Sequence, residues 1–137
     1  MWRKHPENAS PEAWRDLLET ANALVRIADD HGLTVALEAE VVTVVDSAEK
    51  AERLIGEIGS PRLRVLFDPA NLIRPVDLPD TKPRLSEGLA RLAPYIAIAH
   101  AKDIRVRYRL HEMPSHLSGP GIARLFDIPA GTGNLRI

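Results

Sequence analysis

Leu63–Asn71, LRVLFDPAN, sets how the remainder of the chain is laid out. A short apolar run ends on a carboxylate, Asp68. Pro69, which lacks a backbone N–H, then breaks the strand, and Asn71 follows. Alternation puts Leu66 and Asp68 on one face and Leu63, Val65 and Phe67 on the other. Two further segments have the same form. Thr34–Glu38 (TVALE) ends at Glu38, and Tyr95–His100 (YIAIAH) ends at His100, with Lys102 and Asp103 just beyond. Glu38 and Asp68 lie 30 positions apart, Asp68 and His100 32 apart. The period is that of a repeated strand–helix unit with a metal-type ligand at the end of each strand.

The intervening segments read as helices. Ser10-Pro11-Glu12 supplies a hydroxyl cap, a proline at the first helical position and an acid in the first turn. Trp14, Leu17, Leu18, Ala21, Leu24, Val25 and Ala28 follow at helical spacing, and Gly32 marks the stop. A second helix is expected from Asp46, with Glu49 completing a capping box. Its buried stripe is Ala48, Ala51, Leu54, Ile55 and Ile58, ended by Gly59-Ser60-Pro61. Prolines at 69, 75, 79 and 83 exclude a regular helix or central strand over 69–83. A third helix is expected over about 84–93, packing Leu85, Leu89 and Leu92 and closed by Pro94. In the third strand, alternation predicts Ile96, Ile98 and His100 on one face. Residues 104–119 read as polar and irregular, and a short helix is expected near 121–126.

The order α-β-α-β-α-β predicts an α/β fold: a parallel sheet with helices on its face. In such sheets functional groups gather at the carboxyl ends of the strands, where Glu38, Asp68 and His100 fall. A closed eight-unit barrel takes ~250 residues, or roughly 31 per unit, which matches the period seen here. The 137 residues then form one domain, 1–137, amounting to about half of a (β/α)8 TIM barrel. Open sheet edges are an association hazard, so the chain is expected to be a piece of a barrel or to cover its edges by self-association.

Composition narrows the function. A hydrophobic share of 45% and a charged share of 27% are those of a globular protein. A net charge of −1 offers no excess of cations for a phosphate backbone or an anionic membrane. With no cysteine, disulfides and thiolate metal sites are excluded. The opening MWRKHPENAS has no apolar core of the secretory type, and no run approaches the roughly 18 apolar residues of a membrane span. A cytoplasmic location is expected.

Two carboxylates and an imidazole at adjacent strand ends make an O,O,N donor set. Strands about 4.8 Å apart let the three converge on one ion. Mn²⁺, Mg²⁺, Co²⁺ or Zn²⁺ suits such ligands. That ion can hold a hydroxy-carbonyl substrate and stabilise an enediolate while a carboxylate moves a proton. Each residue alone has a blander reading: Asp68 as a turn cap, Glu38 as a solvated acid, His100 as a structural histidine. Their common period on one edge favours the shared metal site. Lys102 and Asp103 read as a support or substrate contact, or as a surface ion pair. Glu40 shares a face with Glu38. Arg105, Arg107 and Arg109 form an anion grip or a solvated loop, and Gly131 and Gly133 an anion nest or a plain turn. His111 and His116 have no assignable role.

These segments resemble the xylose isomerase-like sugar isomerase and epimerase family of barrels. The matching pieces are VALEAE (35–40), LFDPANL (66–72), IAHAKD (98–103), PAGTGNL (129–135) and HPENASPEAW (5–14). The resemblance covers nearly the whole chain but only about half of the family fold, about strands five to seven. It implies that Glu38, Asp68 and His100 match the first three of four metal ligands, with Glu38 also a proton-transfer group. The fourth ligand, a glutamate on strand eight, has no counterpart before Ile137, and Arg136 stands where an acid usually follows the leucine. Asn71 stands where several members carry a substrate-side histidine, so it joins Lys102 and Asp103 as an expected substrate contact. The implied activity is isomerisation or epimerisation of a sugar or sugar phosphate, with the isolated piece expected to be inactive. Two rivals are a metal-dependent nuclease of the apurinic-site type on the same superfold and a non-catalytic half-barrel module. No nucleic-acid or membrane partner is expected.

Overall fold

The computed structural model describes residues 4–74, 77, 80–109 and 122–129. Helix α1 spans Pro11–Asp30. Its cap is Ser10, whose Oγ accepts the Ala13 N–H at 3.1 Å. Trp14, Ala21, Val25 and Ala28 form the buried stripe. Leu24, expected in that stripe, is 46% exposed. It sits one residue, about 100° of helical turn, away from Val25. Gly32 ends the connection at a φ of 65°, in the left-handed region that favours glycine.

Strand β1 (Val35–Glu38) leads to helix α2 (Ala48–Ile58). The cap of α2 is Ser47, not Asp46, because the Ser47 Oγ accepts the Lys50 N–H. Asp46 instead faces two lysines, Lys4 at 3.2 Å and Lys50 at 2.9 Å. Burial pushes the Asp46 carboxyl up, but the two ammonium groups outweigh it and hold it below the usual range. The stripe Ala48, Ala51, Leu54 and Ile55 is buried, with Ile58 partly so.

Strand β2 (Leu63–Phe67) is the middle of a parallel sheet ordered β1-β2-β3, with β3 at Ile96–Ala99. Val35 pairs with Leu63 and Glu38 with Leu66. Leu63, Val65 and Phe67 turn toward the helices and join Trp14, Val25, Leu54, Ile55 and Leu92 in the main core. This is the expected α/β arrangement, with helices on one face. The other face carries exposed Ala36 and part-exposed Leu66.

Between β2 and β3 the register shifts. Val65 pairs with Ile96, but Leu66 pairs with Ile98, so β3 holds one extra residue, Ala97. The alternation expected for this strand is thereby corrected. Ile96 lies with the helix side and packs on the core, while Ile98 lies on the open face and is 53% exposed.

After β2, a 3-10 turn (Ala70–Leu72) precedes helix α3, Thr81–Leu92. The helix begins three residues before the expected start. Pro83 is tolerated at its third position because first-turn N–H groups lack helical partners anyway. Leu85 and Leu92 are buried, but Leu89, expected to pack, is 47% exposed.

Asp77 pins the loop before α3. Its carboxylate accepts the Arg74 side chain at 2.8 and 2.9 Å and the Arg74 backbone N–H at 2.9 Å. The Arg74 guanidinium holds the Asp77 carboxyl below the usual range, against an opposing push from burial. A depressed folded-state pKa gives stability above the unfolded pKa that is lost as pH falls through the folded one. Asp77→Asn should cost about 1 kcal/mol at neutral pH and approach wild type at a pH acid enough to protonate Asp77 in the folded chain. Urea unfolding at both pH values tests this; an equal deficit at both would remove the ion pair as its cause.

The segment beyond β3 departs most from expectation. Lys102–Arg109 is a strand, β4, paired antiparallel with β5, Ile122–Pro129. The irregular reading of 104–119 is corrected over 104–109, and the short helix expected near 121–126 is corrected over 122–126, which belong to β5. Arg105, Arg107 and Arg109 alternate with Val106 and Tyr108, a period of two that suits a strand. Ile104 packs with Ala70, Ile73 and Leu85, tying the start of β4 to the loop after β2. His111, His116, Gly131, Gly133 and Arg136 lie outside the described residues.

Candidate metal centre

Glu38 closes β1, Asp68 follows β2, and His100 follows β3. Parallel strands bring the three ends side by side. One ligand atom from each lies within 4.8 Å of the others. His100 Nδ1 is 3.1 Å from Asp68 Oδ2 and 3.5 Å from Glu38 Oε1. The Asp68 side chain is fully buried, whereas Glu38 and His100 are 36% and 39% exposed. The site thus has a buried anchor and an open mouth.

Local backbone fixes this geometry. Asp68 Oδ1 accepts the Ala70 N–H at 3.1 Å, so one carboxylate oxygen caps the turn that Pro69 starts. The other, Oδ2, is left to face the site. The His100 N–H donates to the Phe67 carbonyl at 2.9 Å and continues the β2–β3 ladder to the ligand. The extra residue at Ala97 puts His100 on the same side as Asp68.

Asn71, expected at the substrate, donates from Nδ2 to Glu38 Oε1 at 2.8 Å. Its carbonyl accepts the Val41 N–H at 3.0 Å, joining the loops after β1 and β2. Lys102 Nζ lies 2.6 Å from Asp68 Oδ2 and 3.9 Å from Glu38 Oε1. Asp103 is 2% exposed, and its Oδ1 accepts the Ile104 N–H at 2.7 Å. The Glu40 N–H donates to the Val45 carbonyl within the loop after β1. Reading the sequence did not foresee the Asn71–Glu38 bond. Its only signal was Asn71 three residues beyond Asp68, the offset at which one helical turn brings it back to the strand ends.

The donors fit a hard or borderline divalent cation: two carboxylate oxygens, one imidazole nitrogen, and one carboxylate out of water. Two carboxylates this close attract a positive charge between them. Lys102 supplies some of it.

Similarities to known proteins agree with this fold. Residues 2–130 match the family model described as xylose isomerase-like TIM barrel. Inosose dehydratase of Salmonella typhimurium (strain LT2) is 33% identical over 98 residues, covering 72% of this chain and 31% of that protein. The same figures hold for inosose dehydratase of Salmonella agona. The chain therefore spans about a third of the length of the curated relatives it matches. A xylose isomerase domain protein from Planctomyces limnophilus aligns with a TM-score of 0.63 at 27% identity, over 94% of this chain and 39% of that one. A xylose isomerase-like TIM barrel protein from Mycobacterium smegmatis, solved in complex with magnesium, aligns with a TM-score of 0.66 at 22% identity, over 98% and 40%. The last likeness speaks for the fold alone.

Proposed function

The chain belongs to the xylose isomerase-like TIM barrel family, and from that premise we propose that it carries three metal ligands of an enzyme that moves a proton on the carbon beside a carbonyl. The substrate class is a sugar, a sugar phosphate or a related polyol ketone. The observation that carries this reading is the convergence of Glu38, Asp68 and His100 within 4.8 Å. Isomerisation or epimerisation through an enediolate is the first candidate. Dehydration, the reaction in the name of the Salmonella inosose dehydratases, is the second, since loss of water beside a carbonyl can start with the same proton removal.

Glu38, Asp68 and His100 would hold the ion, Mn²⁺, Mg²⁺, Co²⁺ or Zn²⁺. A bound divalent ion supplies Lewis-acid polarisation of the carbonyl, which acidifies the neighbouring C–H. Glu38 takes the proton, its carboxylate steadied by the Asn71 amide. Asn71 and Lys102 stand at the mouth, where substrate hydroxyls or an anionic group would meet them. Buried Asp103 caps Ile104, which supports a role in holding the strand that carries Lys102. The partner is a small molecule. The net charge of −1 gives no support to a nucleic-acid partner. Among the described residues no helix is long and apolar enough to cross a membrane.

Calorimetric titration with Mn²⁺ should give one ion per chain. In the complete barrel, a panel of ketoses in D₂O should take up deuterium beside the carbonyl, and Glu38→Gln should abolish that uptake. Uptake unchanged in Glu38→Gln would remove Glu38 as the base.

A further inference from the structure

We infer that Lys102 is an intramolecular competitor for the divalent ion: its ammonium must leave Asp68 when the metal binds. This rests on the metal reading of the same site. Lys102 Nζ lies 2.6 Å from Asp68 Oδ2, the oxygen that also faces His100 Nδ1 at 3.1 Å. The other Asp68 oxygen accepts the Ala70 N–H at 3.1 Å, so Oδ2, which faces His100 and Lys102, is the oxygen turned to an ion at this site. A divalent ion bonds a carboxylate oxygen at about 2.0–2.6 Å. An ammonium held equally close to that oxygen would then adjoin a doubly charged neighbour. One of the two cations yields, and the ion, with twice the charge and three ligands, is the stronger claimant.

The lysine is built to yield. Its backbone is the first residue of β4, two positions beyond His100, and is fixed by pairing with Pro129. Its head is carried on a flexible four-carbon stem and is 31% exposed already. It can withdraw toward the open mouth with no movement of the strand. Until then it screens Glu38 from Asp68 and keeps the ligands gathered. Metal entry and lysine exposure are thus two sides of one equilibrium, and each changes the other by the same factor.

Reductive methylation of the full chain, read by peptide mass spectrometry, tests the displacement. Saturating Mn²⁺ should raise the methylation rate of Lys102 several-fold and leave Lys50, paired with Asp46, unchanged. In parallel, Lys102→Met should bind Mn²⁺ about tenfold more tightly in calorimetric titration, while Lys102→Arg, which keeps the charge, should not. Mn²⁺ uptake with unaltered Lys102 reactivity, or with equal affinity in Lys102→Met, overturns the competition and leaves the metal site standing. Failure of both proteins to take up Mn²⁺ overturns the metal reading and the competition together. Uptake by Lys102→Met alone supports both.

Discussion

Asp68→Ala loses Mn²⁺ binding by more than about a hundredfold, since supporting residues around a metal ligand alone are worth roughly 10- to 100-fold. Asp68 is the buried member of the triad, so its carboxylate cannot be replaced by a neighbouring side chain or by bulk water. The alanine variant also loses the cap on the Ala70 N–H, at a cost of about 1–2 kcal/mol to folding. Asp68→Asn separates the two effects. The amide oxygen can still accept the Ala70 N–H, while the charge that attracts the ion is gone. Circular dichroism and unfolding should place Asp68→Asn above Asp68→Ala in stability, though short of wild type because the Lys102 ion pair is lost, while calorimetry places it near Asp68→Ala in metal binding. Near-normal Mn²⁺ affinity in Asp68→Ala would mean that the three strand ends do not form the binding site.

Leu54→Ala costs about 3 kcal/mol in guanidinium unfolding, within the range of roughly 2–5 kcal/mol for emptying a well-packed leucine site. Leu54 is 1% exposed and lies on the α2 stripe against β2 and α1. Domain stabilities run only to about 5–15 kcal/mol, so this single change removes a large share. The loss comes from transfer of the missing methyl groups and from the cavity that partly rigid neighbours leave behind. Leu89→Ala is the matched control. Leu89 is 47% exposed, and its truncation should fall within about 0.5 kcal/mol of wild type. Similar losses at both sites would mean that α2 is not seated on the sheet as described.

Much of this architecture is written in local chemistry. The apolar runs ending at Glu38 and Asp68, the proline after Asp68, and the Ser10-Pro11 helix start all act within a few residues, and each lies where alternation and capping place it. The features that escaped are decided over distance. Asp46 and Ser47 are both good helix caps; Lys4, 42 positions upstream, helps draw Asp46 into ion pairs and leaves the cap to Ser47. Leu24 and Leu89 lie at core spacing, and only the placement of the neighbouring elements decides that they stay exposed. The period-two signal in Arg105–Arg109 was masked by its charge, since a strand needs a partner, and β5 begins 13 residues later. At the site, the strand ends bring the three candidate ligands side by side, but the Asn71 bond to Glu38 depends on a turn that brings two loops together.

The added residue at Ala97 has a consequence for how such chains diverge. Ile96 and Ile98 are the same residue two positions apart, yet one is solvated by protein and the other largely by water. Were the strand to run through Ala97 without the bulge, the phase of all that follows would reverse. The imidazole would pass to the hydrocarbon side, and the small methyl of Ala99 would take its place in the cleft. A candidate ligand can thus turn away from this kind of site while its letter persists unchanged, through the loss of one bulge.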